Sequence, residues 1–130
     1  MNFLDTFLAF LAPHECLGCG FQGRLLCKNC ASALPAIPEA RLHHGGRVLA
    51  RTAYKGYAKD LIWKLKAGSA KAAAQEIAAL LPRVECDIVM PVPTAPSRAR
   101  QRGYDQAVLI ARAYARRQGL PLSKHLVQML

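Results

Sequence analysis

Acidic side chains are scarce in this chain. Eight Asp and Glu stand against eighteen Lys and Arg, a formal net charge of +10, and such an excess favours polyanionic partners: nucleic acid, phosphorylated metabolites or an anionic surface. Charge as a whole is also modest, at 20% of residues beside 52% hydrophobic ones, which excludes a disordered polyelectrolyte. No repeat or low-complexity tract is present. No G-x-x-x-x-G-K-[ST] phosphate loop occurs, and no Ser/His/Asp set can be singled out. Long apolar runs are missing too. Met1 to Ala12 is apolar, but a dozen helical residues reach only about 18 Å, too short for a bilayer. Asp5 stands where a secretion signal carries Lys or Arg, and no A-x-A cleavage site follows. A cytoplasmic protein is the expectation. Phe3, Leu4, Phe7, Leu8 and Leu11 share a helical face, which predicts a short amphipathic helix ending at Pro13 and packed on the rest of the domain.

Four of the five cysteines are concentrated in one short stretch. Cys16-Leu17-Gly18-Cys19-Gly20 is followed by Cys27-Lys28-Asn29-Cys30, and two C-x-x-C pairs this close can turn four sulfurs onto one point, as a tetrahedral zinc ion requires. Gly18 and Gly20 permit the backbone turns such pairs need. Two disulfides would require an oxidising compartment, which nothing supports. A dithiol redox site normally uses a single C-x-x-C at a helix start. The spacing therefore predicts a structural zinc site on Cys16, Cys19, Cys27 and Cys30. The loop between them should be irregular, with at most a short hairpin.

Beyond the cysteines the pattern alternates between strand and helix signals. Leu34 to Pro38 reads as an extended connector, because each Pro disfavours helix at the residue before it. Arg47 to Tyr54 alternates as a strand after a Gly45-Gly46 turn. Tyr57 to Ala67 is helical by spacing, with Leu61, Ile62 and Leu65 inward and Lys59, Lys64 and Lys66 outward; Gly68 closes it. Ser69 caps a second helix from Ala70 to Leu81, stopped by Pro82. Asp87 to Met90 is a short apolar run expected as a buried strand ending at Pro91-Val92-Pro93. A polar loop from Thr94 to Gly103 follows. Asp105 caps a helix to about Gln118, burying Ala107, Ile110, Ala111 and Tyr114, and Gly119 ends it. Leu120-Pro121-Leu122 then leads into an extended piece. The fold class is α/β with a zinc element at the front.

The loop carries Arg98, Arg100 and Arg102 between a strand end and a helix start, where ligands of open α/β sheets bind. Guanidinium groups there grip phosphate oxygens in pairs, and free N–H groups at a helix start add anion affinity. On composition alone, an R-x-R-x-R stretch reads equally as a solvated surface. Lys55, Lys59, Lys64 and Lys66 interleave with Tyr54, Tyr57 and Trp63 as cations and aromatics do in single-strand binders. Trp63 lies near the apolar face and reads equally as a core residue. His43-His44 is expected as a solvated turn, His14 as a minor alternative ligand, and Cys86 as a small core residue.

The N-terminal C-x-x-C-G pair, Tyr54-Lys55-Gly56, Leu61 to Lys66, Pro91-Val92-Pro93 and Arg102-Gly103-Tyr104-Asp105-Gln106-Ala107 together resemble the ComF family. These are competence-associated proteins of DNA uptake with a type I phosphoribosyltransferase fold. Asp105 stands where that family usually has Asn. The resemblance implies residues 1–38 as an amphipathic helix plus zinc module, and 39–130 as the N-terminal part of a phosphoribosyltransferase-like domain. The family's acidic pair and Thr-Thr-Gly loop have no counterpart here: no two acidic residues are adjacent and Thr6, Thr52 and Thr94 are isolated. A truncated, ComF-like protein is thus expected. It would bind single-stranded DNA through Arg98, Arg100, Arg102, Lys64 and Lys66, with a competence helicase or other protein as partner. The alternative is a phosphoribosyltransferase, binding a phosphoribosyl pyrophosphate-like ligand, active only with a C-terminal half absent from this chain.

Overall fold

The computed structural model describes residues 13–67 and 70–123, with Phe3, Leu4, Phe7 and Leu11. Besides the helical Phe3, Leu4, Phe7 and Leu11, they form helices and one small sheet: α1 Lys28–Ala33, β1 Ala40–Arg41, β2 Arg47–Val48, α2 Gly56–Lys66, α3 Ala70–Leu80, α4 Pro96–Arg102 and α5 Gln106–Gln118. The fold is a mixed one, helices with a two-stranded sheet. Among the described residues no helix is long and apolar enough to cross a membrane.

The core joins the cysteine-rich segment to the helices. Cys16, Leu25, Leu26 and Leu34 are buried together with Leu61 and Leu65 of α2 and Ala73 and Ala74 of α3. Leu26, Leu61 and Leu65 are the largest fully buried side chains; burying each contributes about 2 kcal/mol of transfer free energy. Leu61 and Leu65 recur at i, i+4 and so share a face of α2. Helix α3 packs between α2 and α5, and the buried residues along these seams include Ala73, Ala74, Ala78, Ala111 and Ala115, whose small side chains let helices approach closely. Tyr114 locks α5 to the segment after α3. Its hydroxyl donates to the Pro82 carbonyl at 2.8 Å and accepts from the Val84 N–H at 3.2 Å.

Several sequence expectations change. The strand expected from Arg47 to Tyr54 pairs only at Arg47–Val48, antiparallel to Ala40–Arg41, because the partner strand is itself two residues long. Past it the chain bends, and Arg51 donates to the Ala31 and Leu34 carbonyls, both at 3.1 Å, satisfying the open C-terminal end of α1. The buried strand expected at Asp87 to Met90 is a single parallel bridge, Val89 to Leu122. Ile88 and Met90 remain 43% and 50% exposed, since only one neighbour pairs there. The expected loop from Thr94 to Gly103 is instead mostly α4, begun by Pro96 and closed by Gly103 at φ 79°, the left-handed position that favours glycine. Phe3, Leu4, Phe7 and Leu11 are helical as expected but exposed rather than packed on the domain. Leu8, Gly68 and Ser69, with the roles expected of them, lie outside the described residues.

Candidate metal centre and basic face

Each C-x-x-C pair is shaped by hydrogen bonds that leave its sulfurs facing the same point. In the first, the Gly20 N–H donates to the Cys16 carbonyl at 2.8 Å and the Cys16 N–H to the Phe21 carbonyl at 2.8 Å. Glu15 and Gln22 form one antiparallel bridge across the base of this turn. In the second, Cys27 is the N-cap of α1, and its sulfur accepts from the Cys30 N–H at 3.4 Å. Cys30 therefore sits on the first turn of a helix, an element absent from the sequence reading. The Cys27 N–H in turn donates to the Cys16 sulfur at 3.3 Å, linking the two pairs.

The four sulfurs lie within 4.8 Å of one another and can hold a metal ion. Cys19 and Cys27 are 3.7 Å apart at sulfur. A tetrahedral ion with sulfur ligands at about 2.3 Å sets those ligands about 3.8 Å apart, whereas a disulfide needs about 2.05 Å. All five cysteines are free thiols. His14 is not part of the cluster, which contains only Cys16, Cys19, Cys27 and Cys30. Gly18 is required for space rather than for an unusual backbone angle. A Cβ placed there would fall 2.6 Å from the Cys30 sulfur. Two outer contacts brace the site: Tyr57 donates to the Cys30 carbonyl at 3.1 Å, and Arg24 reaches Glu76 of α3.

The thiols are electrostatically unequal. Burial alone would raise the Cys16 thiol, but N–H groups of Cys27, Gly18 and Cys19 hold it down to about 6. Burial, then the neighbouring sulfurs of Cys27, Cys16 and Cys19, push Cys30 up to about 12. At Cys19 the Phe21 N–H pulls downward, yet the Cys27 and Cys16 sulfurs leave the thiol raised. Without a cation the cluster stops short of four thiolates, because each new charge faces the last. A dication removes that repulsion.

The basic residues divide differently from the sequence reading. On helix α4, Arg98 and Arg102 are four residues apart and share a face, while Arg100 points about 200° around from Arg98. The three guanidinium groups thus do not converge on one phosphate. Arg102 is half-buried beside the Gln106 side-chain amide; Arg98 and Arg100 are exposed. Just beyond α4, the Tyr104 hydroxyl donates to the Leu65 carbonyl. This bond ties the arginine helix to the last turn of α2, which carries Lys64 and Lys66. Trp63, expected near the core, is 55% exposed, with the Lys66 ammonium 5.6 Å from its ring centre.

The start of α5 is not an open anion site. The Asp105 carboxylate itself accepts from the Ala107 and Val108 N–H groups at 2.9 and 3.3 Å. It also accepts from the Thr94 N–H and hydroxyl, both at 2.9 Å. Thr94, isolated in sequence, is the residue that pins the preceding loop to the cap. His43 and His44 lie exposed in the turn between β1 and β2, as expected. Cys86 is exposed, not a core residue. No family model, no curated protein and no solved structure matches this chain.

Proposed function

We propose that this chain is a ComF-like, zinc-stapled module that binds single-stranded DNA through a basic face. One observation carries the reading: the Tyr104–Leu65 hydrogen bond spans 39 residues of sequence and joins the Arg98–Arg102 helix to the Lys64–Lys66 end of α2. The bond ties the chain just after the arginine helix to the lysine end of α2, which supports reading the two basic stretches as one track for a flexible phosphodiester backbone. Zinc is the metal we assign, since four thiolates in a tetrahedral, fully ligated set suit a structural zinc ion. Its chemistry is to neutralise thiolates and fix the loop, with no position left for a substrate. Four cysteines gathered as metal ligands, rather than paired as disulfides, suit a reducing, cytoplasmic setting. Measuring single-stranded DNA affinity across salt concentrations, with the basic residues present and removed, tests this function.

A partial phosphoribosyltransferase-like fold is supported by the parallel Val89–Leu122 bridge, whose connection runs through α4 and α5. The enzyme reading draws on the same bridge. It is weakened by Asp105, which fills the α5 N–H groups a phosphate would use. Calorimetric titration with phosphoribosyl pyrophosphate, on this chain and on a version extended through any downstream coding frame, separates the two: tight binding by the extended version favours the enzyme, and no heat from either favours the DNA-binding module.

A further inference from the structure

Helix α2 turns its core face inward through Leu61 and Leu65, and Trp63, two residues from each, lies on the opposite side. Exposing more than half of the largest apolar side chain is costly in a protein with this much buried leucine. The indole lines an open groove of about 350 Å³ with Asp60, Lys64, Ala67 and Leu17 of the first C-x-x-C turn. Lys66 holds its ammonium over the indole from outside that wall set.

We infer that Trp63 is a base-stacking residue and that the groove beside it takes one unpaired nucleobase of a single-stranded nucleic acid. This inference rests on the basic-face reading above and adds to it the place where a base is held. The occupant follows from the chemistry of the walls. An indole face and a leucine side chain suit a flat, apolar, aromatic group. Lys66 covers one face of the indole and leaves the other to a base, and Lys64, on the groove wall, and Lys66 are the cations available to the adjoining phosphates. Asp60 repels phosphate from the groove itself, so the backbone must run along the lysine side. Its carboxylate also accepts hydrogen bonds from base amino groups. A duplex offers no free base face and does not fit.

Trp63 is the chain's only tryptophan, so its emission reports this site alone. The experiment titrates the full zinc-loaded chain with oligodeoxycytidylate, the same-length abasic oligodeoxynucleotide, and oligocytidylate RNA, following indole fluorescence and, separately, affinity by anisotropy of labelled oligonucleotide. Oligodeoxycytidylate should quench the indole to saturation, whereas the abasic strand should bind through its phosphates and leave the emission unchanged. Trp63→Ala should weaken oligodeoxycytidylate binding about 5- to 150-fold, the range for one lost stacked base, with an unchanged salt slope and unchanged metal content. Trp63→Phe should recover most of the affinity. The RNA arm separates the sources: quenching by DNA, RNA or both supports stacking, and the tighter binder identifies the preferred strand. Binding without quenching, equal quenching by the abasic strand, or full affinity in Trp63→Ala overturns the stacking role while leaving the basic-face reading intact. Absence of binding by every oligonucleotide at low salt overturns both.

Discussion

Arg24 and Glu76 form a two-pronged ion pair, with Nε to Oε1 at 3.1 Å and Nη2 to Oε2 at 3.0 Å. Arg24 lies between the two cysteine pairs and Glu76 on α3, so the contact joins the metal loop to the helical core. Arg24 is 46% exposed at its side chain, and solvent screening limits such a pair to under about 1 kcal/mol. Glu76→Gln should therefore leave the denaturation midpoint nearly unchanged while speeding metal loss to a chelator. A large fall in the midpoint would place the pair in the stability of the whole fold rather than of the loop.

The metal centre predicts a specific steric sensitivity. Purified chain should carry about one zinc. Cys19→Ser and Cys27→Ser should lower metal content and increase protease cleavage between residues 13 and 34. Gly18→Ala should weaken zinc as well, because its methyl group would meet the Cys30 sulfur at 2.6 Å. Metal content by atomic spectroscopy checks all three; full loading of Gly18→Ala would mean the turn has slack that the geometry does not show.

Asp105 provides a pH test of the α5 start. Burial opposes its charge, but bonds from the Thr94 N–H and hydroxyl and from the Val108 and Ala107 N–H groups outweigh burial and hold its carboxyl below the ordinary range. A carboxyl depressed by folding contributes stability above its unfolded pKa, near 3.9, and loses it as pH falls through the folded value. Acid titration of unfolding should show this loss below about pH 4. Asp105→Asn keeps a capping oxygen and should remove that pH dependence at modest cost. Asp105→Ala should cost about 1 to 2 kcal/mol at neutral pH, read by chemical denaturation.

What the sequence disclosed follows the range of the interactions. The cysteine spacing, the Asp105 cap and the Gly119 stop are local signals, and each is present as read. Helix α4 is hidden in the sequence although Pro96 and Gly103 mark its ends, because the alternating arginines between them resemble a solvated loop. Helix α1 was missed because Cys27 serves at once as cap and candidate ligand, and the ligand pattern hides the cap. Trp63 reads from sequence equally as a core residue and as an aromatic among cations, and its two-residue offset from Leu61 and Leu65 is what turns it outward. Other features have no local signal at all. The Tyr104–Leu65 bond, the Arg51 bracing of α1 and the Thr94–Asp105 pair depend on how distant segments pack.

The most direct test of the basic face is the salt dependence of single-stranded DNA affinity. Phosphate neutralisation gives a log–log slope of about −0.7 for each phosphate engaged on a single strand. Arg98, Lys64 and Lys66 should each supply part of that slope. Replacing Arg98 and Lys64 with Gln together should lower the affinity at low salt and reduce the slope by up to about 1.4. Affinity that is flat with salt, or a slope unchanged by removing these charges, would contradict binding through this face.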